Sequence, residues 1–152
     1  MRNKTKYPEV GAILEIPLPA GGKGYARVLD KPLLAFYAVK SEGKLTPDEV
    51  VRQPLAFKVW VMNSALMSGS WTVIGHAPLQ AELLDAPWFF KQDAISKALT
   101  LCRDGVERPA TKDECKGLER AAVWSACHVE SRLEDHLMGR RNRWVESLKM
   151  EV

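Results

Sequence analysis

Residues 55–62 read LAFKVWVM, a run in which Lys58 is the single charge and β-branched and aromatic residues predominate. A segment this short and this rich in Val, Phe and Trp suits a pleated surface better than a helix, so it commits the first half of the chain to a sheet. Its surroundings agree. Val10–Leu18 places Ile13, Leu14, Ile16 and Leu18 in loose alternation, and the glycine-rich 19–24 cluster reads as the turn of a hairpin that returns through Tyr25–Leu29. Leu33–Val39 is a further β-friendly run, and Trp71–Ile74 closes at Gly75. Five strand candidates on short links predict an antiparallel sheet or a small, partly closed SH3-like barrel. Thr46-Pro47-Asp48-Glu49 has the N-cap, proline and first-turn acids of a short helix, and Asn63–Gly69 fits one helical turn ending on glycine.

The second half changes period. Trp88, Phe89 and Phe90 and then Ala98–Cys102 predict two strands, and Thr111-Lys112-Asp113-Glu114 is a capping box. From Leu118 to Met138 the pattern is helical, with Gly139 as its stop. On that helix Leu118, Ala122, Ser125, Val129 and Leu133 form one stripe, flanked by Ala126 and Leu137, to be packed on the sheet. A neighbouring flank carries Trp124, His128, Ser131 and Asp135 with Arg132 at its edge, while Glu119, Glu130 and Glu134 face outward. Trp144 and Leu148 are expected to pack a short tail back onto the body. The fold class expected is α+β, a single domain over 1–152 with the long helix laid on the sheet.

Composition bounds the function. Hydrophobic residues make up 46% and charged residues 27%, the balance of a folded domain. Three cysteines without CxxC spacing argue against a disulfide framework. The longest apolar stretch, Leu33–Val39, falls far short of the ~20 residues that cross a bilayer. No apolar run follows the basic residues at the N-terminus, so a secretory signal is not expected and the expectation is a cytoplasmic protein. The net charge is +3, with ten basic against six acidic residues in 1–75 and twelve against thirteen in 76–152. No basic face dominates, which argues against nucleic acid.

A search for chemistry finds little. His128 and His136 are eight apart with Arg132 between them, and His76 is remote, so neither a metal site nor a cofactor is expected. Cys127 and His128 are adjacent, and adjacent helical residues diverge by ~100°. GxSxG is absent, and the glycines at 21–24 lack phosphate-loop spacing. What remains is the flank of Trp124, His128, Arg132 and Asp135, which reads either as core capping or as an interface anchor. The basic cluster of Arg140, Arg141 and Arg143 follows it, where cations complement the helix dipole. Trp60, Trp71 and the basic residues would serve an alternative function, a small β-barrel module for nucleic acid or a small ligand. An enzyme using His128 and Asp135 is a third reading, and it requires both to line one cleft.

Ordered segments add a resemblance. Val10–Leu18 with Tyr25–Leu29, Phe57–Leu66, Gly69–Gly75, Glu119–Ser125 and His128–Leu133 together resemble the immunity protein 26 family, from about residue 9 to 149. The resemblance implies an immunity protein of bacterial polymorphic toxin systems, which binds a cognate toxin and protects the producing cell without catalysis. Trp124, His128, Arg132, Asp135, Trp60, Trp71, Arg140, Arg141 and Arg143 are then the candidate partner-binding residues. A mildly basic chain is a poor mimic of nucleic acid, so simple polyanion mimicry is not implied.

Overall fold

The computed structural model describes residues 6–151, so the basic start of the chain at 1–5 lies outside the described residues. Strands β1 (Ala12–Pro17), β2 (Lys23–Val28), β3 (Leu33–Tyr37) and β4 (Leu55–Val61) form antiparallel neighbours in chain order, with helix α1 (Pro47–Val51) inserted before β4. Helix α2 (Asn63–Met67) leads to β5 (Thr72–His76), which returns to pair with β1. Helix α3 (Ala81–Leu84) then precedes β6 (Phe89–Gln92), β7 (Leu99–Arg103) and β8 (Val106–Ala110). After α4 (Lys112–Cys115) come two-residue strands β9 (Glu119–Arg120) and β10 (Val123–Trp124), then α5 (Ala126–Leu137) and α6 (Arg143–Ser147).

The strands make two sheets, ordered β10-β4-β3-β2-β1-β5 and β8-β7-β6-β9. The class is α+β, as expected. Neither sheet closes among the described residues, so the partly closed barrel of the alternative does not form: β5 and β10 remain the two ends of the larger sheet.

The larger sheet is covered on both faces, which explains why β1 alternates so loosely in sequence. Leu14, Ile16, Ala26, Leu34, Phe36 and Val59 point to one side, where Val129 and Leu133 of α5 pack on them. On the other side Ile13, Tyr25, Tyr37 and Val50 form a cluster around α1, and Leu29, Leu33 and Ala35 meet Leu83, Phe89 and Cys102. Through that last cluster the two sheets touch. Arg27 is fully buried in β2 and donates to the Tyr37 hydroxyl at 3.3 Å and to the Ala77 carbonyl at 2.7 Å. It thereby binds the segment that leaves β5 to the sheet.

Local signals are obeyed where they are strong. Thr46 and Thr111 each accept from the backbone N–H three residues on, and Glu49 and Glu114 reciprocate. Gly21 and Gly22 turn the first hairpin at φ +105° and +80°.

The long helix is the main correction. It begins at Ala126, not Leu118, because Glu119 and Arg120 pair in parallel with Phe89 and Phe90 while Val123 and Trp124 pair in parallel with Trp60 and Val61. Gly117 at φ +77° ends the preceding turn. Helical propensity differs by only tenths of a kcal/mol among such residues, and two open sheet edges outbid it. Leu118, Ala122 and Ser125 therefore leave the expected stripe, whereas Val129 and Leu133 keep it.

Candidate functional site

Helix α5 presents Ser131, Arg132 and Asp135 toward the strands and tail around it, because Val129 and Leu133 on the adjacent stripe are locked into the core. Arg132 is buried. Its two terminal nitrogens donate to the two carboxylate oxygens of Glu119 at 2.8 and 2.6 Å, a bidentate pair. Its guanidinium also lies 3.9 Å from the centre of the Phe57 ring and 5.0 Å from that of Trp124. Trp124 and Arg132 thus do come together as a flank, though Trp124 arrives from strand β10 rather than from the helix.

His128 stacks on Trp144 with ring centroids 3.6 Å apart and planes 18° from parallel. Asn142 holds α6 in place: its amide nitrogen donates to Ser131 Oγ at 3.2 Å and Asp135 Oδ2 at 2.9 Å, and its oxygen accepts from the Trp144 and Val145 N–H groups. The other Asp135 oxygen takes Arg140 Nε at 3.1 Å. His128 and Asp135 are committed elsewhere and do not form the acid–base pair that an enzyme reading needs. Cys127 is exposed and lies 3.6 Å from Ser125 Oγ.

The three glutamates expected on the outer face are each tied to a donor distant in the chain. Glu119 binds Arg132, and Glu130 accepts from the Trp71 indole N–H at 2.7 Å. Glu134, 8% exposed, accepts from the Ala20 N–H at 2.8 Å and so pins the first hairpin turn to α5. Periodicity placed them outside because a carboxylate is normally solvated. Long-range donors, invisible in sequence, reverse that.

The remaining candidates separate by exposure. Trp71 and Trp124 are core residues, each 4% exposed, and Trp60 is half-buried against Phe89 at 4.5 Å. Arg140, Arg141 and Arg143 are exposed in a cluster beyond the end of α5, and Arg143 reaches over the Trp144 ring at 4.6 Å. Arg140 is paired with Asp135 and, at 3.9 Å, with Glu134, whereas Arg141 and Arg143 have no carboxylate partner among the described residues.

A cleft of about 350 Å³ opens between β9, β10 and the C-terminal segment. Arg120, Lys116 and Lys149 border it, and Leu118, Trp124 and Leu148 line it. Sequence reading gave Leu148 a packing role and missed Lys116, Arg120 and Lys149. Scattered basic residues carry no signal until the sheet edges gather them. Among the described residues no helix is long and apolar enough to cross a membrane.

Against known proteins, the family model described as immunity protein 26 matches residues 9–99, which is β1 through the start of β7 and more than half of the chain. The match does not extend to segments 119–125 and 128–133, which the sequence reading also assigned to that family. No curated protein and no solved structure matches the chain.

Proposed function

Since the chain belongs to the immunity protein 26 family, we propose that it is the immunity partner in a bacterial polymorphic toxin system, binding a cognate toxin in the cytoplasm of the producing cell and neutralising it without catalysis. The family match over residues 9–99 carries this reading. The state of the candidate side chains supports it, because His128, Arg132 and Asp135 are engaged in packing and pairing rather than poised for a reaction.

The surface offered to the toxin centres on the end of α5 and on α6. Arg140, Arg141 and Arg143 supply the charge, and the His128–Trp144 stack supplies a rigid apolar step. Trp71, Trp124, Arg132 and Asp135 act beneath this surface by holding its backbone in place, and Trp60, packed on Phe89 across the larger sheet, serves it only through the strand pairing of β4 with β10. Rim cations of this kind mainly speed association, whereas buried anchors set dissociation.

Co-expression with the toxin encoded beside its gene tests the reading. Cells should survive, and the two proteins should co-purify. Death of the cells, or absence of a complex, would sink it. Replacing Arg140, Arg141 and Arg143 together by Glu should lower the association rate at least about tenfold at low salt, with a smaller effect at high salt.

A further inference from the structure

Strands β9 and β10 are the exposed ends of two different sheets, only two residues apart in the chain, and the C-terminal segment crosses beside them. That segment is held through its backbone. Arg120 donates to the carbonyls of Leu148 and Lys149 at 2.8 and 3.1 Å, and the Gln92 amide exchanges hydrogen bonds with the Glu151 carbonyl and N–H at 2.9 and 2.8 Å. Between tail and strand ends lies the cleft of about 350 Å³, a volume suited to one large side chain and its adjoining backbone.

Three properties define what fits. The floor is apolar, made by Phe90, Leu118, Trp124 and Leu148. The border is cationic, and the acid in the lining, Glu119, is already spent on Arg132. Among the described residues Lys116 and Lys149 hold only exposed pairs, with Asp113 and Glu146 three residues away, and such pairs exchange partners readily. Finally, Trp124 is 4% exposed and its indole N–H is buried with no acceptor among the described residues. Buried donors are almost always paired, so an acceptor that reached this N–H would be favoured.

We propose that the cleft seats an apolar side chain of the toxin that is flanked by acidic residues, with Trp124 in its lining as the reporter of that seating. This rests on the immunity reading and names the chemistry of the partner. A nucleic-acid strand would match the charge but not the floor, because the Trp124 ring is buried with Arg132 over it and offers no face for base stacking.

The test needs no toxin. The indole N–H signals of the uniformly ¹⁵N-labelled full chain are followed by NMR, and that of Trp124 is assigned by its disappearance in Trp124→Phe. The probes are acetyl-Asp-Phe-Asp-amide, acetyl-Asn-Phe-Asn-amide, acetyl-Asp-Ala-Asp-amide and a short single-stranded oligothymidylate. The first peptide should move the Trp124 signal saturably, and each of the other two peptides should bind at least about tenfold more weakly. The surface variant Lys116→Ala/Lys149→Ala should weaken the first peptide about fivefold or more with an unchanged melting temperature. Equal response to all three peptides, response to the oligothymidylate alone, or no response overturns the proposal. Toxin neutralisation without any peptide response overturns the cleft and spares the immunity reading. A saturable, charge-dependent response with failed neutralisation does the reverse.

Discussion

Arg132 carries a full charge into a position that is nearly sealed, and its surroundings show how that is tolerated. Glu119 supplies the opposite charge in a two-pronged geometry, while Phe57 and Trp124 cover the flat faces of the guanidinium. A lysine would keep the charge but lose the two-pronged contact with Glu119 and the planar contact with the rings. Arg132→Ala should therefore destabilise the protein by about 2–4 kcal/mol, below the top of the range for breaking a buried pair because the Glu119 side chain is 31% exposed. Arg132→Lys should recover less than half of the loss. Urea denaturation with an unchanged slope checks both, and a cost near zero for Arg132→Ala would show the pair to behave like a surface one. Much of this was illegible in sequence. The presence of Arg132 beside Trp124 was read from helical spacing, and the neighbourhood is real, yet the partner that matters, Glu119, sits thirteen residues away on a strand of the other sheet.

At the scale of elements, α5 is placed by a contact with a strand that has room for it. Gly24 in β2 leaves the space that Leu133 fills: a Cβ there would lie 2.6 Å from Leu133 Cδ2 and 3.2 Å from Leu18 Cδ2. Gly24→Ala should push the helix off the sheet and destabilise by about 1–3 kcal/mol, as overpacking does. Gly43, where a Cβ would meet nothing within 4 Å, provides the matched control. Gly43→Ala should be neutral or stabilising by up to about 1 kcal/mol through the unfolded chain. Thermal melts of the two variants should move in clearly different directions or amounts. Where an element depends on its own few residues, sequence reading located it: the hairpin of β1 and β2, the capped α1 and α4, and the α2 turn ending at Gly69 all stand where expected. The start of α5 failed that reading because residues 118–125 are held by Phe89, Phe90, Trp60 and Val61, all distant in the chain. Strand β8, exposed along nearly its whole length and carrying Pro109 within it, has too little alternation to be seen.

Over the whole molecule, charge is used locally more than globally. Several carboxylates are held below their usual range by specific donors: Glu49 by the backbone and hydroxyl of Thr46, Asp93 by the N–H groups of Ser96 and Ile95, Glu114 by Arg108 and the Thr111 N–H, and Glu151 by Lys97. An acid with a depressed folded pKa binds its proton more weakly when folded, so its stabilisation is complete above the ordinary carboxyl range and is lost as pH falls through the lower folded value. These groups should leave the melting temperature unaffected between about pH 7 and 5 and lower it progressively below about pH 4. Glu114→Gln should flatten that acid limb in melts recorded across the same range. An unaltered limb would mean that Glu114 binds its proton equally well in the folded and unfolded chain.

Amino-acid order alone determined the α+β class, the strands and capped turns of the first half, and the absence of a strong net field, because each follows from neighbours a few residues apart or from a sum. Tertiary structure decided where α5 begins, which glutamates turn inward, and that Trp124, Arg120, Lys116, Lys149 and Leu148 border one cleft. Those outcomes depend on hydrogen-bonding sheet edges and desolvated charges meeting across long stretches of chain, and such a meeting has no energy until the chain has folded.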